Sequence, residues 1–311
     1  MGSFVDAVET SLILFIERQS PTMTTIPVAV PRKGRPLEAV LDRVAAVADL
    51  EEQADSIAST LRYEKAVTKG TQTPAEDVYD RLAEYSDTDR YHPEYTLLRD
   101  ARLGVPRRIV FDSLRVDLGE HELHLVGREE PFRALRKHEF GLGFDSADLV
   151  LEEVVSIEPE PLSSLDELND RIDPHDTDVR VVDGLGDTVH HALLSMPDVA
   201  DAPDREFLRG YEGPLCISPR YERLVRAVLG TEATDGVSFR YPDDRDEEAA
   251  IASIGVGIYL TVTGSTARDH GLSVGERLFP SETVLLENPT EHEDVAAAVA
   301  ELLVGGIETP V

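Results

Sequence analysis

Apolar residues along the chain occur in two kinds of run, and the two alternate. Residues 24–30 end in Ile26-Pro27-Val28-Ala29-Val30, a short continuous run that predicts an opening strand. Leu37, Val40, Leu41, Val44 and Val47 then recur at helical spacing and predict a helix over 37–48. The same exchange recurs further on, with strands at 109–111 and 123–126, a helix over 130–138 and a strand ending at Pro197. After a polar link over 198–213, strands at 215–218 and 237–241 flank a helix over 222–229. A helix from about 247 leads into the β-branched run Ile258-Tyr259-Leu260-Thr261-Val262, then a strand over 283–287 and an amphipathic helix over 291–304. Strands alternating with helices predict an α/β fold. Residues 50–108, with acidic helical segments, interrupt the pattern and predict a helical insertion. Residues 1–22 precede a second methionine, Met23, and are expected to be an extension outside the fold.

Two of the predicted strands run into loops suited to anions. Ile258–Val262 is followed by Thr263-Gly264-Ser265-Thr266 and then by a short turn closed at Gly271. A small-residue loop between a strand and a helix start presents backbone N–H groups and hydroxyls to a phosphate, and glycine permits close approach. A plain turn that caps the next helix fits the same residues. The first strand leads into Lys33-Gly34-Arg35 at the start of a helix, which suits a polyanion or a solvated turn equally. His121, His124 and the pair His190-His191 lack a third ligand at metal-binding spacing, so no metal site is expected.

The order of these stretches resembles the ATP phosphoribosyltransferase family, which catalyses the first step of histidine synthesis. The family opens with strand-Pro-x-Lys-Gly-Arg-Leu, matched at Lys33, Gly34 and Arg35. Its Asp-Leu-Gly-Ile-Thr-Gly-x-Asp-Leu-Val-x-Glu is matched at Leu142, Gly143, Asp148, Leu149 and Val150. Its phosphoribosyl loop, Asp-Leu-Val-(Glu/Ser)-Thr-Gly-Thr-Thr, is matched around Thr263, Gly264 and Thr266, and Asn288-Pro289 matches the end of its next strand. The resemblance implies two α/β lobes of the type II periplasmic-binding-protein kind, with the ligand cleft between them. The first lobe would comprise 23–197 and 278–311, with the insertion at about 50–108, and the second 198–277. It also implies adenine of ATP displacing pyrophosphate from phosphoribosyl pyrophosphate, with Mg2+. Lys33, Arg35, Asp148 and Thr263, Gly264, Ser265 and Thr266 would bind substrate. The chain has the extent of the family's short form, which works with a regulatory partner subunit; a homo-oligomer is the alternative.

Departures from the pattern bear on activity. Tyr259, Val262 and Gly255 stand where the family has or often has acids, and Asp145-Ser146 replaces its Thr-Gly. Lost acids at the ribose site weaken the case for the standard transfer. An ionised Asp145 would repel a phosphate unless a divalent cation intervened. A non-catalytic phosphate- or nucleotide-binding homologue, acting as a sensor or partner subunit with AMP, ATP or phosphoribosyl pyrophosphate as ligand, is therefore the competing reading.

Charge narrows the classes. Acidic residues outnumber basic ones 61 to 30, for a net charge of −31. Spread along the chain, these acids read as the solvated surface of a halophilic protein, and they argue against a nucleic-acid partner. The lone cysteine, Cys216, excludes an internal disulfide. The early apolar run 11–16 is too short to span a membrane and lacks the flanks of a signal peptide, so a cytoplasmic protein is expected.

Overall fold

The computed structural model describes residues 23–99, 107–153, 159, 161–162, 165, 167–242, 247–291 and 294–304. The extension predicted at 1–22 lies outside them. The chain opens with β1 (Thr24–Pro31), α1 (Arg35–Ala48), α2 (Glu51–Lys69), α3 (Val78–Tyr85) and β2 (Glu94–Arg99). Next come β3 (Arg107–Asp117), β4 (His121–Arg128), α4 (Pro131–Arg136), β5 (Leu142–Ser146), α5 (Ala147–Glu153), α6 (Glu167–Arg171) and β6 (Arg180–Gly184). A second series follows: β7 (Val189–Ser195), α7 (Arg205–Arg209), β8 (Gly213–Cys216), α8 (Glu222–Thr234), β9 (Val237–Arg240), α9 (Glu247–Ile254), β10 (Val256–Thr261), α10 (Ser265–Asp269) and β11 (Ser273–Ser281). Finally, β12 (Thr283–Glu287) and α11 (Asp294–Val304) return to the first series.

Two sheets result. The seven-stranded sheet has the order β2-β3-β4-β1-β5-β12-β6, and the five-stranded sheet the order β11-β7-β10-β8-β9. Without the added hairpin β2-β3, both repeat one plan. Three parallel strands (β4-β1-β5, and β9-β8-β10) are followed by one antiparallel strand that has crossed from the other half (β12, and β7), and then by a last strand. This is the type II periplasmic-binding-protein arrangement, the two-lobed α/β fold that the sequence predicts.

Two details differ from the sequence reading. The 50–108 segment is not purely helical, because β2 pairs along the outer edge of β3. Its half-exposed residues cover an edge that would otherwise carry unpaired backbone groups. The exchange between sheets also falls at 185–188 and at Glu282, not after 197 and 277. The reason is that β7 is hydrogen-bonded on both sides, to β10 and β11, with Ala192, Leu193 and Leu194 fully buried.

Burial explains the helices. Leu37, Val40, Leu41 and Val44 put one face of α1 against β1, and Val299, Ala300 and Leu303 of α11 join the same core. Each large aliphatic side chain so buried contributes about 1.5–3 kcal/mol. A second core runs across both halves: Ala147, Val150 and Leu151 of α5 join Leu278, Phe279 and Val225. The helix α5 thus packs against β11 and α8 of the other sheet. No helix among the described residues is long and apolar enough to cross a membrane.

Candidate functional site

Parallel strands direct their C-terminal ends to one edge of a sheet, the usual position of ligand clefts in α/β folds. Here β1 ends in Pro31–Arg35, β4 in Arg128-Glu129 and β5 in Asp145-Ser146, and all of these line one cleft of about 330 Å³. The other half closes it with Arg220 and Tyr221 after β8, Leu260 of β10 and Ser281 at the end of β11. Lys65 reaches it from α2.

The cleft has the opposite charge balance to the chain. Arg32, Lys33, Arg35, Lys65, Arg128 and Arg220 line it against three acids, Glu129, Asp145 and Asp148. Several of the cations are engaged. Arg32 lies 3.4 Å from Asp112 and donates through Nε to Gly127 O, and Lys33 lies 3.1 Å from Glu129. Arg128 stacks over the Phe140 ring at 4.8 Å. Arg35 is paired with Asp187 in the crossover and donates to Ser281 O and Oγ at 2.8 and 3.0 Å. It therefore ties the β1–α1 turn to the two segments where the sheets exchange strands. Gly34, at φ +82°, makes the turn before it in a conformation that favours glycine.

Asp148 lies at the back wall, 2% exposed. Ser146 Oγ donates to its Oδ1, Ser281 Oγ donates to the same oxygen at 2.9 Å, and His191 Nε2 donates to Oδ2 at 3.2 Å. The His191 ring stacks on Phe279 and meets Tyr221 edge-on, both at 4.6 Å. Burial alone would raise the carboxyl, but the hydrogen bonds and charge of His191, Ser146 and Tyr221 hold it well below the usual carboxylate range. Burial, then Asp148, push the Tyr221 phenol up. Asp148, expected at a substrate site, thus joins the two halves by linking β5–α5 to β7 and β11.

Asp145 behaves in the opposite way. It is 2% exposed, and burial pushes its carboxyl from 3.8 up to about 7. Hydrogen bonds from the backbone N–H groups of Phe132 (3.0 Å) and Ser146 (2.8 Å) offset this only in part, and the Asp148 charge adds to it. Two carboxyls three residues apart are pushed in opposite directions by their surroundings.

The predicted loop at 263–266 is not part of this lining. Thr263, Ser265 and Thr266 are exposed, and Thr263 donates to Ser265 Oγ at 3.1 Å. Arg268 folds back and donates to Thr263 O at 2.7 Å. No side chain caps α10. Gly264 has φ +71°, and a Cβ there would meet Val274 Cγ2 at 2.7 Å, so the local backbone itself calls for glycine. At the positions of the missing acids, Tyr259 donates to Glu247 at 3.3 Å, Val262 is 71% exposed, and Gly255 turns the chain after α9 at φ +108°. Lys33, Arg35 and Asp148 are therefore brought together, and the loop stands apart from them.

A model of the halobacterial ATP phosphoribosyltransferase family matches residues 22–310. The chain belongs to this family. Among curated proteins no sequence matches it. Similar solved structures include the ATP phosphoribosyl transferase (HisG:HisZ) complex from Thermotoga maritima, 16% identical, covering 89% of this chain and 96% of that one, with a TM-score of 0.40. The ancestral amino acid-binding protein AncCDT-1, a precursor of cyclohexadienyl dehydratase, is 9% identical over 97% and 92% of the two chains, with a TM-score of 0.40. The VFT2 domain of BvgS from Bordetella pertussis is 11% identical over 97% and 93%, with a TM-score of 0.38.

Only part of this cleft is legible in local sequence. Its motifs mark Lys33, Arg35 and Asp148 but not Arg32, Lys65, Arg128, Arg220 or Tyr221. Lys65, Arg128 and Arg220 lie 63 and 92 residues apart in turn and share no local motif. Asp145 was visible only as a departure from the family pattern, and its burial was not.

Proposed function

We propose that this ATP phosphoribosyltransferase-like protein binds phosphoribosyl pyrophosphate, a nucleotide, or both in the cleft between its two sheets, and transfers a phosphoribosyl group there. The observation that carries the reading is the gathering of six cationic side chains at one cleft in a chain with twice as many acids as bases. In the transfer, a ring nitrogen of ATP attacks C1 of the ribose. The bond from C1 to the pyrophosphate oxygen breaks, the pyrophosphate leaves with the electron pair, and the adenine ring, made cationic by the new bond, releases a proton from its amino group to solvent. The chain's part is to hold both partners and to balance the charge gathering on the leaving group. Lys33, Lys65, Arg128 and Arg220 suit that task. Arg35 braces the turn that carries Lys33. The loop at 263–266 lies outside the cleft lining, three residues beyond Leu260, and would hold the 5-phosphate only of a ligand that reaches past the cleft's edge.

Mg2+, which the family resemblance implies, does not fit as a protein-held ion. Asp148 is saturated by hydroxyl and imidazole donors, Asp145 accepts two backbone N–H groups, and Glu129 is paired with Lys33. Among the described residues no three metal-ligating side chains converge. The ion would enter on the pyrophosphate, as part of the substrate. A regulatory subunit of the kind used by the family's short form, or self-association, is proposed alongside.

The second reading is a non-catalytic phosphate- or nucleotide-binding sensor or partner subunit. It is favoured by Tyr259 and Val262, which offer no carboxylate for ribose hydroxyls. Calorimetric titration with phosphoribosyl pyrophosphate, ATP and AMP in high salt, together with a pyrophosphate-release assay, separates the two. Binding with turnover supports the transferase, and binding without turnover supports the sensor. Heat with none of the three would refute both.

A further inference from the structure

Four of the six cleft cations already have partners inside the protein. Arg32, Lys33 and Arg35 are ion-paired, and Arg128 is stacked on Phe140 and bonded to Gly127 O. Lys65 and Arg220 differ. Both are exposed and neither forms a close ion pair among the described residues, although Arg220 lies near enough to Asp145 and Glu152 for its charge to act on both carboxyls. In a protein with 61 acids to 30 bases, a cation left unpaired runs against the composition.

The two come from opposite walls. Arg220 sits in the Pro219–Tyr221 turn behind β8, on the five-stranded half. Lys65 belongs to α2, within the segment predicted as an insertion relative to the general ATP phosphoribosyltransferase pattern and covered by the halobacterial family match. That helix is held firmly. Ala54, Ile57 and Leu61 bury its inner face, and Glu64 forms a buried two-point pair with Arg81 at 2.8 and 2.9 Å. Arg62, one turn before Lys65, lies 2.6 Å from Glu38 on α1. The α2 helix therefore lies along α1, and one turn beyond Arg62 it delivers Lys65 to the cleft beside Arg35 and Pro36.

We propose that Lys65 and Arg220 form a two-sided clamp for the oligophosphate part of the ligand, one cation from each half, so that the insertion helix belongs to the binding site. The inference rests on the proposed binding of a phosphorylated ligand in this cleft and names the groups that hold it. An anion with charge at two ends, such as pyrophosphate, satisfies both cations without displacing an existing ion pair. A single phosphate offers no second charged end for the opposite wall, so the proposed clamp is expected to discriminate for the longer anion.

Inorganic pyrophosphate and inorganic phosphate are the probes, titrated calorimetrically at one fixed high salt concentration. Lys65→Ala and Arg220→Ala are each expected to weaken pyrophosphate binding about tenfold or more, as loss of a charged hydrogen bond does. Phosphate binding should weaken much less in both. Lys65→Arg should restore most of the affinity. Arg209→Ala, which removes a charge of the same sign from an exposed i,i+3 pair on α7 outside the cleft lining, should change it less than about twofold if only distant charge is lost. Unchanged melting temperatures would show that the variants fold. If the wild type binds pyrophosphate but Lys65→Ala matches Arg209→Ala, or if only one of the two cations matters, the clamp is wrong while the binding reading stands. If the wild type takes up neither pyrophosphate nor phosphoribosyl pyrophosphate, both fall.

Discussion

The Asp145 carboxyl should make the protein lose stability as pH rises from about 4 to about 7. Its value in the folded protein is raised from 3.8 to about 7, chiefly by burial. Between those values the folded state holds a proton that the unfolded chain has released. The stabilisation is therefore complete below about 3.8 and is gone above about 7. About three decades of proton affinity at about 1.4 kcal/mol each give about 4 kcal/mol in all, of which about 2.5 kcal/mol falls between pH 5 and 8. Other groups titrate nearby. Burial lowers His124 and His190, which slopes the other way, and burial raises Glu152, which slopes the same way. Asp148 and Glu122 are both held down, Glu122 to about 2, so they act only at lower pH. The contribution of Asp145 is isolated by comparing the wild type with Asp145→Asn. The variant loses one acceptor for the N–H groups of Phe132 and Ser146, a cost of about 1–3 kcal/mol that is the same at every pH. Urea unfolding of both proteins at fixed high salt should show the wild type losing about 2.5 kcal/mol relative to the variant between pH 5 and 8. A difference constant with pH would mean that Asp145 is ionised in the fold, and a difference of opposite sign would refute the burial argument outright.

At net −31, repulsion opposes the compact state, and raising salt from 0.1 M to 1 M shortens the screening length from ~10 Å to ~3 Å. The melting temperature should rise over that range; a flat response would show that the surface charge is not what limits stability. Gly264→Val should lower the melting temperature, since a left-handed backbone costs a non-glycine residue about 1–2 kcal/mol and the new Cβ meets Val274. An unchanged melting temperature would mean that the turn relaxes freely. Because this variant perturbs the fold, Ser265→Ala is the cleaner probe of phosphate at the loop.

Much of the architecture is legible in local pattern. The run Val28-Ala29-Val30 and the spaced apolar residues of 37–47 became β1 and α1, because both elements bury one set of positions against a single core. The same holds for α8, β10 and β12. What failed was membership rather than existence. The strand ending before Pro197 was recognised, but its sheet was not, since Val189–Ser195 is equally apolar in either. Only pairing to β10 and β11 decides the matter, and those partners lie more than 60 residues further on. Glu94–Arg99 was hidden for a related reason: an edge strand is half exposed, so it lacks a continuous apolar run.

The site was less legible because its electrostatics arise from convergence and burial, neither of which is local. Lys65 is an ordinary surface lysine in an acidic helix until α2 is laid along α1. Asp145 shows the point most sharply. Read as a letter in the sequence, it is a negative charge beside a phosphate site and argues against binding there. In the fold it is enclosed with 2% exposure at the end of β5, between the α4 and α5 helices. Burial disfavours its charged form more than two N–H donors favour it, so near neutral pH much of its charge is absent. The repulsion inferred from the residue type is then weakened at the place where it would matter most. The six cations of the cleft face one firmly ionised buried acid, Asp148, whose charge His191 and the two serine hydroxyls already satisfy. The proposed anion would be accepted in a strongly acidic protein because burial pushes Asp145 toward its neutral form and internal partners satisfy Asp148, while Lys65 and Arg220 form no close ion pair among the described residues.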